Sequence, residues 1–284
     1  MLDVEDEQCS TDADCVGLFG RSYACNDEQV CVESEDMMAG DGGDDRLPPE
    51  WQCSQEPPRM IIPQAGRAVT LRIGATDYID LMTPAGVVGR ACNPTDLQCM
   101  RPRLEDVMPG DDGYLVFEGL PHAWLGFIEL NAPGYMQTVL YTNRAYAVDT
   151  MPEGVTLITR ESAAAIAEGG GEMFDDDNGI VLIAIYDCEG QAAEGITLLQ
   201  EDESTMERAF YFEGSLPDRD RSSTVISRLL TPSGNPLAVA GFSQVKEGYV
   251  TMLLVHEASG IEVGKMGVQV RPLTMTIAEF HAGY

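Results

Sequence analysis

Half of the chain's eight cysteines fall within its first 31 residues, as Cys9, Cys15, Cys25 and Cys31, separated by five, nine and five residues. That stretch has little to bury beyond Val16, Leu18, Phe19 and Tyr23, so without cross-links it could not offset its own ordering entropy. An even number of cysteines, half of it in a segment too short for a core, reads as a disulfide framework in an oxidising compartment. Cys92 and Cys99 stand close enough in sequence to pin one loop. Cys53 and Cys188 remain by exclusion, and a bond between them would tie the start of one folded half to the other. The alternative of free thiols in a cytoplasmic protein fits this pattern poorly.

Composition narrows the partners. Forty-seven acidic residues against 17 basic ones leave a formal charge of −30, which excludes nucleic acid as a partner because phosphate binding needs Lys/Arg patches. The same field repels anionic lipid headgroups. No apolar run reaches the roughly 18 residues of a membrane span, and no basic start precedes an apolar stretch as in a signal peptide. The cysteines nevertheless imply export, and we infer a signal segment removed upstream of Met1, with or without a lipid-anchoring cysteine. The expected location is extracellular or the outer cell surface.

Texture divides the rest. Residues 1–34 form the cysteine-rich module, and residues 35–58 are acidic, then Gly- and Pro-rich, which is a linker signature. From residue 59 short alternating segments begin, such as Val69, Leu71 and Ile73, then Leu115 and Phe117, then Phe127–Leu130 and Thr138–Tyr141. Turn residues separate them, which indicates strands. Glu161–Glu168 consists of helix formers stopped by Gly169–Gly171 and reads as a helical turn within a connector over 149–178. A second β series opens on the apolar run Ile180–Tyr186 and continues to Thr274–Ile277. The expected fold is all-β: a small disulfide-rich module followed by two tandem antiparallel β-sandwiches over 59–148 and 179–284. A weak echo between 113–130 and 234–254 reads as a tandem duplication.

Several motifs carry a resemblance. Asp112-Gly-Tyr-Leu-Val-Phe-Glu-Gly-Leu-Pro121 followed by Ala132-Pro-Gly-Tyr135 resembles carboxypeptidase regulatory-like domains of transthyretin/Ig-like sandwich fold. Gly179–Gly195, with Asp187-Cys-Glu-Gly190, looks like the opening strands of another. Cys9–Cys15 is similar to Dickkopf- or EGF-like modules of secreted bacterial surface proteins. The resemblance implies structural or adhesive accessories. Related surface domains often carry a Lys–Asn isopeptide cross-link, but residues 59–150 contain no lysine and Lys246 and Lys265 come late. The insertion between Ala75 and Asp111 also departs from the family pattern.

Little chemistry survives inspection. His122, His256 and His281 lack the close spacing of zinc or non-haem iron ligands, and there is no nucleophile elbow, phosphate loop or dinucleotide fingerprint. We expect no enzyme. For Ca²⁺, which takes about six to eight oxygens, the candidates are Asp175, Asp176, Asp177 and Asn178, then Asp41, Asp44 and Asp45. None fits a calcium-loop pattern, and a solvated acidic turn is the favoured account. His122, Trp124 and Phe127 could form an aromatic platform for a glycan or a protein anchor, although a core role for Trp124 is favoured. The expected function is a non-enzymatic surface structural or adhesive protein, self-associating or binding a protein partner, with sheet edges open to strand addition. The alternative is an accessory carbohydrate- or protein-binding module built on the Trp124 loop.

Overall fold

The computed structural model describes residues 23–25, 31–33, 46–149, 153–201, 209–214, 216–227 and 236–284. The chain divides into two units, residues 1–46 and 47–284. In the first, β1 (Tyr23–Cys25) pairs antiparallel with β2 (Cys31–Glu33), placing Cys25 opposite Cys31. Cys9, Cys15, Asp41, Asp44 and Asp45 lie outside the described residues.

The second unit is built from strands. Seven precede the helix: β3 (Ala68–Asp77), β4 (Val88–Cys92), β5 (Leu104–Val107), β6 (Tyr114–Pro121), β7 (Phe127–Asn131), β8 (Gln137–Thr142) and β9 (Glu153–Leu157). Helix α1 spans Arg160–Gly169. Then come β10 (Asn178–Tyr186), β11 (Ile196–Gln200), β12 (Phe210–Glu213), β13 (Leu216–Asp218), β14 (Ile226–Ser227), β15 (Leu237–Lys246), β16 (Gly248–His256), β17 (Ile261–Val270) and β18 (Thr274–His281).

One sheet of ten strands runs through both halves in the order β13-β12-β15-β10-β18-β8-β7-β4-β5, with β14 on β15. Two smaller sheets, β6-β3-β9 and β11-β16-β17, pack on it. The alternation of strand side chains shows where. Ile128, Leu130 and Leu140 share a core with Leu71, Ile73, Leu115 and Phe117 of the β3 sheet. On β10, Val181, Ile183 and Ile185 face Met252, Leu254, Val268 and Val270 of the β16 sheet. Their neighbours Ile180 and Ala184 face the other way, towards Ala163 and Ile166 of α1. The small sheets thus cover opposite faces at opposite ends. This is why β10 reads as an unbroken apolar run: both its faces are buried. Each such fully buried aliphatic or phenyl side chain contributes about 1.5–3 kcal/mol relative to exposure.

The seam between the halves is β18. It pairs in parallel with β10 on one side (Ile277 opposite Leu182) and with β8 on the other (Ile277 opposite Leu140). The expected sandwiches are therefore fused through a shared sheet, and the joint is parallel although every other strand pair of that sheet is antiparallel. The sequence echo does not carry over into equivalent places: β6 lies in a small sheet and β7 in the large one, whereas β15 and β16 reverse that assignment.

Two segments that read as connectors are packed. Thr159 caps α1, its hydroxyl accepting from the Ser162 amide, and the buried Ala163 and Ile166 share a core with Phe210 and Phe212. Gly170 ends the helix where a β-carbon would strike the Phe210 ring. Residues Pro49–Gln55 form a 3-10 turn that buries Trp51, which with Leu47 joins the core of the β16 sheet. The linker signature hid this tryptophan among Pro and Glu neighbours.

Candidate functional site

The loop from Pro121 to Phe127 is folded inward. Trp124 is 5% exposed, belongs to the core under the β3 sheet and stacks on Tyr146 at 6.0 Å between ring centroids. Its ring lies over Gly126, where any side chain would collide with it, and its indole N–H is buried without a partner. Phe127 points to the opposite face of the central sheet, against Cys92, Cys99 and Tyr141. His122 is buried and its Nδ1 accepts from the Gln64 amide at 3.3 Å. The three residues therefore present no shared aromatic surface.

The acidic turn before β10 is organised by its own chain. Asp176 is held bidentately by Arg160, at 2.8 and 2.9 Å. Asp175 accepts from the Asp177 amide at 3.1 Å, and Asn178 donates to the Gln244 side chain at 2.9 Å. Among the described residues, the group of His, Cys, Asp and Glu whose ligand atoms converge is Cys92, Cys99 and Glu129; the turn is not such a group.

Those two cysteines are bonded to each other, with α-carbons 5.3 Å apart, and Cys53 is bonded to Cys188, 135 residues away, with α-carbons 5.8 Å apart. The Cys53–Cys188 bond sits beside the seam, because Cys53 meets Gly283 just past β18. Lys265 is exposed and pairs with Glu201 at 2.8 Å.

Beneath the Cys92–Cys99 loop lies a charged cluster that single-residue inspection of the sequence does not reveal. Glu129 is fully buried on β7. Arg90 of β4 donates to it from Nε at 2.6 Å, and Arg271, from the β17–β18 turn, reaches it at 2.5 Å. Arg271 also donates to the Leu97 carbonyl at 2.5 Å and to Gln137 at 3.3 Å. A carboxylate inside the apolar run Phe127–Leu130 is itself a signal, since a buried charge needs partners. Its partners, however, are 39 and 142 residues away.

A second cluster closes the end of the seam. Glu279 and His281 share one side of β18, with Oε2 and Nε2 3.8 Å apart. The imidazole stacks on Tyr186 at 4.7 Å, and Asn143 bonds both backbone groups of His281. Burial pushes the Glu279 carboxyl up to about 7, against the opposing pull of Arg144. Burial, aided by Arg144, takes His281 down to about 4. Both changes favour the uncharged forms, as burial requires. Arg144 and Arg59 each sit 5.9 Å from the centre of the Tyr284 ring.

No protein-family model and no curated protein matches the sequence. Among solved structures, the Bacillus anthracis TIE protein is similar at 11% identity and TM-score 0.23, over 76% of this chain and 34% of that one. The chain thus spans about a third of that protein's length. The major pilin subunit BcpA of Bacillus cereus is similar at 8% identity and TM-score 0.23, over 72% and 69% of the two chains. A family CBM26 module of Eubacterium rectale Amy13K, solved with maltoheptaose, is similar at 12% identity and TM-score 0.23, over 75% and 91%. At these scores the likenesses carry no argument, and the functional reading rests on the chain's own geometry.

Proposed function

We propose that the chain is a non-enzymatic structural or adhesive protein of the outer cell surface or extracellular space, built to hold its shape. The observation that carries this reading is the seam: β18 lies between strands of both halves, and the Cys53–Cys188 bond fastens the incoming chain beside it. Disulfides persist in oxidising compartments, and a fused central sheet resists bending between the halves. The likeness of 112–135 to carboxypeptidase regulatory-like sandwiches and of 9–15 to Dickkopf/EGF-like modules accords with an accessory surface role.

Partners, whether another protein or a second copy of the chain, are met through loops and grooves more readily than by strand addition. At one end of the central sheet β5 is short, carries Glu105 and Asp106, and bends at Asp106 with φ 52°. At the other, β13 is three residues long and contains Pro217. Short, charged, bent or proline-bearing edges are poor templates for pairing. The edge of β11 is occupied by Thr224 and Ser222, and the 3-10 turn packs on β17.

Antibody labelling of intact producing cells, combined with thiol counting on the unreduced protein, tests the proposal. Surface or medium signal with all cysteines blocked is expected. Protein confined to the cytoplasm with reactive thiols would overturn it.

A further inference from the structure

Among the described residues, one stretch of the central sheet has no sheet above it. On the face that carries Arg90 and Glu129, the β16 sheet covers β10 and its neighbours, while over β4 and β7 lie the disulfide loop that follows Cys92 and the Arg271 side chain. Between this loop and β4–β5 a groove of about 440 Å³ opens, lined among others by Arg90, Gln98, Met100, Glu105, Asp106 and Asn131. That volume lies within the range of small-ligand sites.

We propose that this groove binds an uncharged saccharide. Two planar amides and two carboxylates are among its lining residues. The side chains of Gln98, Glu105, Asp106 and Asn131 have no hydrogen-bond or ion-pair partner among the described residues. Such groups match the paired donors and acceptors of adjacent sugar hydroxyls. Met100, 79% exposed, and Pro102 supply an apolar wall for the C–H face of a ring.

Charge selects against acidic ligands. Arg90 gives its Nε and Nη2 to Glu129, leaving the Glu105 and Asp106 carboxylates and the chain's overall −30 to repel an anion. The bent edge of β5 selects against an added peptide strand.

The site is also held in place before any ligand arrives. The Cys92–Cys99 bond closes the loop, Asp96 accepts from the amides of Met100 and Arg101 at 3.0 and 2.7 Å, and Arg271 ties down Leu97. Fixing a loop beforehand removes ordering cost from binding. The larger groove near Glu168, Glu172 and Asp175 lacks these features; its amides Asn178 and Gln244 bond to each other.

The inference deepens the adhesive reading by naming a ligand class, and it is tested separately from location. The full chain is applied to an array of neutral, N-acetylated and acidic glycans, and each hit is titrated calorimetrically. Binding to neutral or N-acetylated features is expected, weakened at least about tenfold in Gln98→Ala/Asn131→Ala and unchanged in Glu168→Gln/Glu172→Gln. Met100→Glu, which fills the groove with a charge, should abolish binding and serves if the double variant melts early. An array with no hits, hits confined to acidic glycans, or undiminished binding by either groove variant overturns the proposal. Failed surface labelling with retained array binding would sink the location and leave the groove standing.

Discussion

Arg271 reaches across 142 residues of sequence to place its Nη1 2.5 Å from Oε1 of Glu129, a carboxylate with no exposed surface. The contact joins the β17–β18 turn to β7, so it reports directly on the fusion of the two halves. Removing one partner of a buried pair leaves the other uncompensated, at a cost of about 3–5 kcal/mol. Arg271→Ala should fall near the low end, because Arg90 still faces Glu129. Adding Glu129→Gln should recover part of the loss, and a double-mutant cycle in urea measures the coupling. Strictly additive effects would show that the pair does not hold the seam.

The two disulfides differ in the length of chain they close, 135 against 7 residues of separation. In the chain-entropy account the longer loop contributes about 4–5 kcal/mol and the shorter about 2.5 kcal/mol. Cys53→Ser/Cys188→Ser should therefore lower the denaturation midpoint more than Cys92→Ser/Cys99→Ser. Equal midpoints would argue against that account here.

Glu279 and His281 impose opposite pH dependences. The Glu279 carboxyl rises from 4.5 to about 7 on folding, so its contribution is complete below pH 4.5 and is lost as pH climbs through 7. The His281 imidazole falls from 6.5 to about 4, so its contribution is complete above pH 6.5 and is lost as pH drops through 4. Between pH 4.5 and 6.5 the two slopes, each at most about 1.4 kcal/mol per pH unit, cancel. The parent should have a shallow stability profile across that window. Glu279→Gln should expose a fall towards acid and His281→Asn a fall towards alkali, read from unfolding midpoints at half-unit pH steps. Flat profiles in both variants would refute the assignment.

Trp124→Ala and Trp51→Ala should act on stability, each by about 3–5 kcal/mol, since both rings are buried in cores of the second unit. Differential scanning calorimetry reads the loss. If Trp124→Ala left the melting temperature unchanged and abolished glycan binding, the ring would belong to a ligand site after all.

Much of this fold is written in local texture. Period-two segments mark β3, β6 and β8, and the run Ile180–Tyr186 marks a strand buried on both faces. The seam is not local. Nothing in Thr274–His281 announces that it will lie parallel to segments more than 90 residues earlier in one case and more than 130 in the other. Trp51 was masked by Pro48, Pro49, Glu50 and Glu56, whose residue types signal a linker wherever packing does not intervene. For the proposed groove, Trp124 and His122 stand out as rare residue types, whereas Gln98 and Asn131 are ordinary ones. Their meaning arises only when the end of β7 and a disulfide loop bring them to one groove.

The placement of β18 has a kinetic consequence. Every other strand of the central sheet is synthesised before it, so two half-sheets must wait, each with an unpaired central edge, until residues 274–281 arrive to zip them together. Such long-range closure is slow to form, and the reverse step demands that both halves let go at once. For the exported protein proposed above, the delay would keep the chain open during export, and slow unfolding would then preserve the fold outside the cell.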